Sequence, residues 1–121
     1  MSTKTLGNSG EDSAVEYLQT NGYRIIERNF RVPWGEIDII AQEGQTIVFV
    51  EVKTRTSATY GAPFDAVWGR KQHKIVKVAL AYLKKKYNNR DIRARFDVVS
   101  IMRNAEGKNR IEIIKNAFEA H

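Results

Sequence analysis

With 121 residues, 42% hydrophobic and 28% charged, and only 2 prolines, the chain has the makeup of one ordinary globular domain rather than of a disordered or collagen-like polymer. The absence of cysteine excludes disulfide frameworks, thiolate zinc sites and cysteine nucleophiles; with 2 histidines, one of them terminal, any metal must sit on carboxylates, which favours Mg²⁺ or Mn²⁺. The net charge of +6 is uneven: residues 1–60 hold 6 Lys/Arg against 8 Asp/Glu, a net of −2, and residues 61–121 hold 14 against 6, a net of +8, a division suited to a cation site beside a polyanion surface.

The opening Met-Ser-Thr-Lys-Thr-Leu-Gly lacks an apolar signal core, and no stretch approaches the ~20 apolar residues of a bilayer span, so a cytoplasmic protein with no membrane partner is expected. Ser9-Gly10-Glu11-Asp12 reads as a helix entry, with Ser9 as cap and Asp12 closing a box-like pair. The helix runs to about Asn21 and stops at Gly22. Ala14, Val15 and Leu18 form its apolar stripe, and Glu11 lies on that stripe, four residues before Val15 and seven before Leu18. Glu11 is therefore either a first-turn acid complementing the helix dipole or a carboxylate aimed inward. Three strands follow, over Tyr23–Val32, Glu36–Ala41 and Thr46–Lys53, the last two joined as a hairpin through Gln42-Glu43-Gly44-Gln45. Ile75, Val76, Ala79, Tyr82 and Leu83 recur at helical spacing over residues 70–87, with Lys71, Lys74, Lys77, Lys84 and Lys85 elsewhere around the helix. Phe96–Ile101 and Arg110–Ile114 complete an α-β-β-β-α-β-β order. A crossover helix between the third and fourth strands favours a right-handed βαβ connection and a mixed sheet flanked by helices.

The chemistry-bearing segment is Gly35-Glu36-Ile37-Asp38-Ile39-Ile40 followed by Val48-Phe49-Val50-Glu51-Val52-Lys53. Alternation puts Glu51 and Lys53 on one face and Val48, Val50 and Val52 on the other. If the hairpin turns on Gly44-Gln45, paired residues sum to 89, which sets Asp38 across from Glu51. Two carboxylates that close repel unless a cation lies between them or one is protonated, a local inconsistency of the kind that marks functional sites. A one-residue slip would put Asp38 on the other face, and Asp38 would then be an ordinary partner of a nearby arginine. Glu36 shares the Asp38 face, as a further ligand or, more simply, a salt-bridge partner. Two or three carboxylates can hold one or two Mg²⁺ ions, and a neighbouring lysine can orient or deprotonate a water or stabilise charge in phosphoryl transfer.

On these residues the chain resembles the PD-(D/E)xK nucleases, and more closely the YraN-type family of uncharacterised bacterial proteins, itself similar to archaeal Holliday-junction resolvases. The matching stretches are Gly10-Glu11, Asn29-Phe30-Arg31, Gly35-Glu36-Ile37-Asp38, Phe49-Val50-Glu51-Val52-Lys53-Thr54-Arg55, Arg95-Phe96-Asp97-Val98-Val99 and Asn116-Ala117-Phe118. Ile37 stands where the superfamily often has proline, and Gln72 is followed four residues on by Val76, so only half of a Gln-x-x-x-Tyr element found in related nucleases is present. The resemblance implies a single domain over residues 1–121 with a restriction-endonuclease-like αβββαβ core. It also implies Asp38 and Glu51 as Mg²⁺ or Mn²⁺ ligands with Glu11 assisting and the Val52 carbonyl contributing, Lys53 as the catalytic lysine, and a homodimer pairing two sites.

The expected activity is hydrolysis of DNA phosphodiesters, in branched or recombination intermediates. The alternative is a nucleic-acid-binding module on the same fold that does not cut. Arg55, Lys71, Lys74, Lys77 and the Lys84-Lys85-Lys86 run, followed by Arg90, Arg93 and Arg95, form the expected phosphate-tracking set, although a helix C-terminus favours lysines through its dipole as well. Arg55–Pro63 reads as a loop at the rim of the site. Tyr60 and Trp68 are candidates for base stacking or for the core, His73 reads as a surface residue, and Asp97 reads as a structural partner rather than a ligand.

Overall fold

The computed structural model describes residues 9–56, 65–88, 91–104, 106 and 108–118, with the backbone alone for Ser9, Thr56 and residues 65–68. Of the loop expected over Arg55–Pro63, Arg55 and Thr56 instead continue a strand paired with Met102 and Arg103, and its remaining residues, with the capping role of Ser9, Arg90 and the aromatic rings of Tyr60 and Trp68, lie outside the described residues or side chains. Helix α1 spans Ser9–Thr20, and strands β1, β2 and β3 span Arg24–Val32, Gly35–Glu43 and Thr46–Thr56. Helix α2 spans Asp65–Tyr87, followed by β4 over Ala94–Arg103 and β5 over Asn109–Phe118. The order matches the expected one. Helix α2 begins at Asp65, five residues before the expected residue 70, and carries Gly69 within its first turns.

The five strands make one sheet in sequence order, with every neighbouring pair antiparallel except β3 and β4, which are parallel. The parallel pair follows from the intervening helix, since a strand returned through a crossover arrives in the same direction. The sheet is sandwiched. Under α1, Ala14, Leu18 and Tyr23 pack on Ile39, Ala41, Val48, Val50, Val99 and Ile101. Under α2, Ile75, Val76, Val78, Ala79 and Tyr82 pack on Ile37, Ile40, Ile47, Phe49, Phe96 and Val98. Among the described residues no helix is long and apolar enough to cross a membrane.

Local chemistry sets the element ends. Helix α1 closes with bonds from Tyr23 N to Leu18 O and from Gly22 N to Gln19 O, and Gly22 sits at φ 91°, a Schellman stop with its accompanying Leu18–Tyr23 apolar pair. Gly44 at φ 60° turns β2 into β3, with Glu43 opposite Thr46, so the hairpin reverses on Gly44-Gln45 as expected. Gly10 lets the first turn of α1 settle on β3: a Cβ there would lie 2.7 Å from the Thr54 hydroxyl oxygen.

Candidate active site

The register expected from the hairpin holds. The pairs Ile39–Val50, Ile40–Phe49, Ala41–Val48, Gln42–Ile47 and Glu43–Thr46 all sum to 89. Beyond Ile39 and Val50 the two strands part company: β2 continues alongside β1 to the Val32–Gly35 pair, and β3 continues alongside β4 to the Thr56–Arg103 pair. Asp38 and Glu51 are the first residues past that fork. The Asp38 carboxylate bridges it, its Oδ2 accepting the Val52 N–H at 2.9 Å. A side chain thus replaces the backbone acceptor that an unbroken ladder would supply.

Why the fork opens at Asp38 is visible one strand away. Ile37 belongs to the core under α2 and Ile39 to the core under α1, although residues two apart on a regular strand share a face. Strand β1 changes faces at the same level. Arg28, opposite Ile39, reaches α1, whereas Phe30, opposite Ile37, lies edge-on to Tyr82 of α2 at 5.1 Å. Between them Asn29 adopts φ 56°, a left-handed conformation that asparagine tolerates better than most residues. The switch also separates Asp38 from the pleat relation expected with Glu36, which forms an ion pair with Arg31.

Glu51 projects from β3 beneath α2 and is 4% exposed, where its carboxylate meets the Lys71 ammonium. Burial, and then the negative charge of Asp38, push the Glu51 carboxyl up to about 7 despite the lysine. At Lys71 burial works against the ammonium, but the bond to Glu51 and the nearby acids outweigh it and hold the lysine above its ordinary value. Lys53, two residues beyond Glu51 on the same face, is moved the other way: burial and then the charge of Lys71 favour its neutral amine. Two acids and two amines therefore share one electrostatic environment, with Arg55 at its edge.

The third expected acid is drawn elsewhere. Glu11 does lie on the inner side of α1, its side chain 12% exposed, but its Oε1 accepts from Arg28 Nε at 2.9 Å and from Asn29 Nδ2 at 3.0 Å. Asp12 takes the other end of the same guanidinium, at 2.6 Å from Nη2. Among the described residues no three His, Asp or Glu side chains converge closely enough to hold a metal ion. Glu11 instead grips Asn29, the residue of β1 at the level of the face switch, from outside the Asp38–Glu51 pair.

Two members of the expected basic set also change place. Lys71 lies four residues before Ile75 and seven before Val78, at the edge of the buried flank of α2, so its ammonium reaches Glu51 although the side chain stays half exposed. The same arithmetic that singled out Glu11 identifies it, and its membership in a lysine-rich helix hid it. Arg95 leaves the phosphate-tracking run altogether. Its guanidinium binds the fully buried Asp97 at 3.0 Å and pairs with Glu43, which Lys115 also holds at 3.0 Å. Asp97 further accepts the Tyr23 hydroxyl at 2.8 Å and the Asn116 N–H at 2.9 Å, the structural role expected of it. Lys74, Lys77, Lys84, Lys85, Lys86 and Arg93 are exposed, as is His73.

Comparison with known proteins adds the family. The model of the uncharacterised protein family UPF0102 matches residues 10–101. A UPF0102 protein of Geobacter metallireducens is 54% identical over 116 residues, covering 96% of this chain and 93% of the relative. One from Clostridium botulinum is 48% identical over 117 residues, covering 96% of this chain and 95% of the relative. The match takes in α1, the forked hairpin, α2 and most of β4, and on that extent the chain belongs to the UPF0102 family, the YraN-type group its motifs resemble.

Proposed function

We propose that this protein is a metal-dependent endonuclease that hydrolyses DNA phosphodiesters, with branched and recombination intermediates as the first substrates to test. The observation that carries the reading is the fork between β2 and β3, where Asp38 and a buried Glu51 stand together with Lys53 on the same face as Glu51. The α-β-β-β-α-β order supports the likeness to the PD-(D/E)xK nucleases and their restriction-endonuclease-like core.

The donor chemistry fits Mg²⁺ or Mn²⁺. A hard ion of this kind takes one or two protein carboxylates and completes its shell with water and substrate phosphate, so Asp38 and Glu51 suffice without Glu11. Such an ion, when bound, polarises a phosphoryl oxygen and acidifies a coordinated water. The chain's own contributions are distinct. Asp38, tethered by the Val52 N–H, presents its remaining oxygen lone pairs in a fixed direction. Lys53, whose ammonium burial and then the charge of Lys71 make readier to lose its proton than an exposed lysine's, is placed to exchange a proton with an attacking water. The exposed lysines of α2 supply positive surface for the phosphate backbone. A homodimer presenting two such sites is the assembly this reading favours.

Purified protein incubated with branched, flapped, single-stranded and duplex DNA in Mg²⁺ or Mn²⁺ tests the proposal. Cleavage is expected, and Asp38→Ala is expected to reduce it at least about 100-fold, the scale of losing a principal electrostatic group. Cleavage unchanged in Asp38→Ala, or none on any substrate, overturns it. A second reading, binding without cutting, is favoured by the lysine already seated on Glu51. It predicts salt-sensitive DNA binding that needs no divalent ion and survives Glu51→Ala.

A further inference from the structure

We infer that Lys71 is the built-in counter-ion of the acidic pair, and that a divalent cation reaches Asp38 and Glu51 by displacing its ammonium. The inference rests on the metal-dependent reading above and adds to it a residue with a defined place in the binding step.

Three observations lead there. First, Glu51 is buried beside another carboxylate, an arrangement that is costly unless a positive charge meets it, and the Lys71 ammonium is in contact with Glu51 Oε1. Second, Lys71 differs from the other basic residues of α2. Arg70, Lys77 and Lys84 lie along the side of the helix turned away from the sheet and Lys74 beside them, whereas Lys71, also exposed, shares the flank of Ile75 and Val78, which are buried against the sheet. Its position is set by helix docking and not by surplus surface charge. Third, the side chain is 46% exposed while its partner is 4% exposed. A flexible four-carbon stem in that setting can withdraw its ammonium into solvent while the carboxylate stays behind.

The charge balance gives the exchange its direction. With Lys53 and Lys71 charged, the four side chains Asp38, Glu51, Lys53 and Lys71 sum to zero, so the fold tolerates the acidic pair before any ion arrives. A dication placed between the two acids delivers twice the charge of the ammonium to both of them at once. With the ammonium still on Glu51, an incoming dication meets a like charge and one carboxylate oxygen already in use. Withdrawal of Lys71 removes both obstacles.

Isothermal titration of Mn²⁺ alone into the wild-type protein, Lys71→Met and Lys74→Met tests the exchange without any DNA or turnover. Lys71→Met is expected to bind Mn²⁺ about 10-fold more tightly, and Lys74→Met, an exposed lysine on the same helix, to change affinity less than about 2-fold. A companion experiment needs no variant. With ¹⁵N-labelled lysine, the Lys71 ammonium resonance of the wild-type protein is expected to shift and lose its protection from solvent exchange as Mg²⁺ is added. Equal or weaker Mn²⁺ binding by Lys71→Met overturns the inference. So does an equal shift in Lys74→Met, which would mark a general field effect, or an undisturbed Lys71 ammonium in Mg²⁺-bound protein. Should Lys71→Met not fold, the ammonium resonance alone decides. If neither wild type nor Lys71→Met binds Mn²⁺ at millimolar concentration, the metal reading of the site falls and takes the exchange with it. If both bind equally, only the exchange is lost.

Discussion

Glu51 is a carboxyl group that gives up its proton less readily in this fold than an exposed glutamate does. Its folded value of about 7 lies above the ordinary 4.5, raised by burial and then by Asp38. A carboxyl raised on folding contributes stability that is complete below the unfolded value and is lost as pH climbs through the folded one. In the absence of divalent ions, stability should therefore decline between about pH 4.5 and 7 from this group. The decline should amount to about 2–3 kcal/mol relative to Glu51→Gln, which cannot titrate. Urea unfolding of both proteins at pH 5 and pH 8 measures the difference. Parallel profiles would show that Lys71 compensates Glu51 completely. Glu43 contributes with the opposite sign, because Arg95 and then Lys115 hold its carboxyl below the usual range, and its contribution is lost on acidification. Comparing the variant with its parent removes that background.

At the scale of elements, the two ends of the sheet use buried acids differently. At the fork, Asp38 and Glu51 stand together, with Lys71 in contact with Glu51 and Lys53 beside them. At the junction of β4 with β5, Asp97 has more partners than it needs. Its surroundings include an irregular step in the pairing between Phe96 and Val98, where Asn116 at φ 52° turns its N–H onto Asp97. Tyr23, arriving from the end of α1, adds a hydroxyl whose ionisation is suppressed by burial and then by its bond to Asp97. Asp97 thereby joins β4, β5 and the α1 exit. Asp97→Ala should lower stability by about 3–5 kcal/mol, since it removes the acceptor of the Asn116 N–H and the Tyr23 hydroxyl and breaks the buried pair with Arg95, leaving that guanidinium to Glu43. The denaturation midpoint measures it, and a loss under about 1 kcal/mol would mean that Glu43 and water replace Asp97 without penalty.

For the molecule as a whole, the division of charge seen along the chain becomes a division of surfaces. Helix α2 carries 7 Lys/Arg and only Asp65 as an acid. Apart from Lys71, these project away from the sheet or lie at the helix C-terminus, where the dipole welcomes them. If this surface tracks phosphates, Lys74→Ala, Lys77→Ala and Lys84→Ala should each lower the slope of log affinity against log salt by about 0.7–0.9. Fluorescence anisotropy with labelled DNA over a range of salt reads the slope. An Arg95→Lys protein, whose altered side chain belongs to the Asp97 network, should leave that slope unchanged. A triple variant with an unaltered slope would remove α2 from the DNA-binding surface.

Much of this was determined by sequence alone, for local reasons. The period of 2 assigned Val48 and Val50 to one face and Glu51 to the other, and the two-residue turn at Gly44-Gln45 set the register to its sum of 89. The Gly22 stop and the apolar spacing placed Ala14 and Leu18 inward. Tertiary structure decided the rest, through contacts between groups far apart in the chain. Glu11 and Arg28 stand 17 residues apart, Lys71 and Glu51 20, and Arg95 and Glu43 52, so no spacing rule relates them. The face switch at Asn29 and Asp38 was likewise invisible, because it arises jointly in two paired strands wedged between two helices. Periodicity assigns a side chain to a face. Only the docking of helix on sheet selects the charge it meets there, because that choice is made across space by burial and Coulomb attraction.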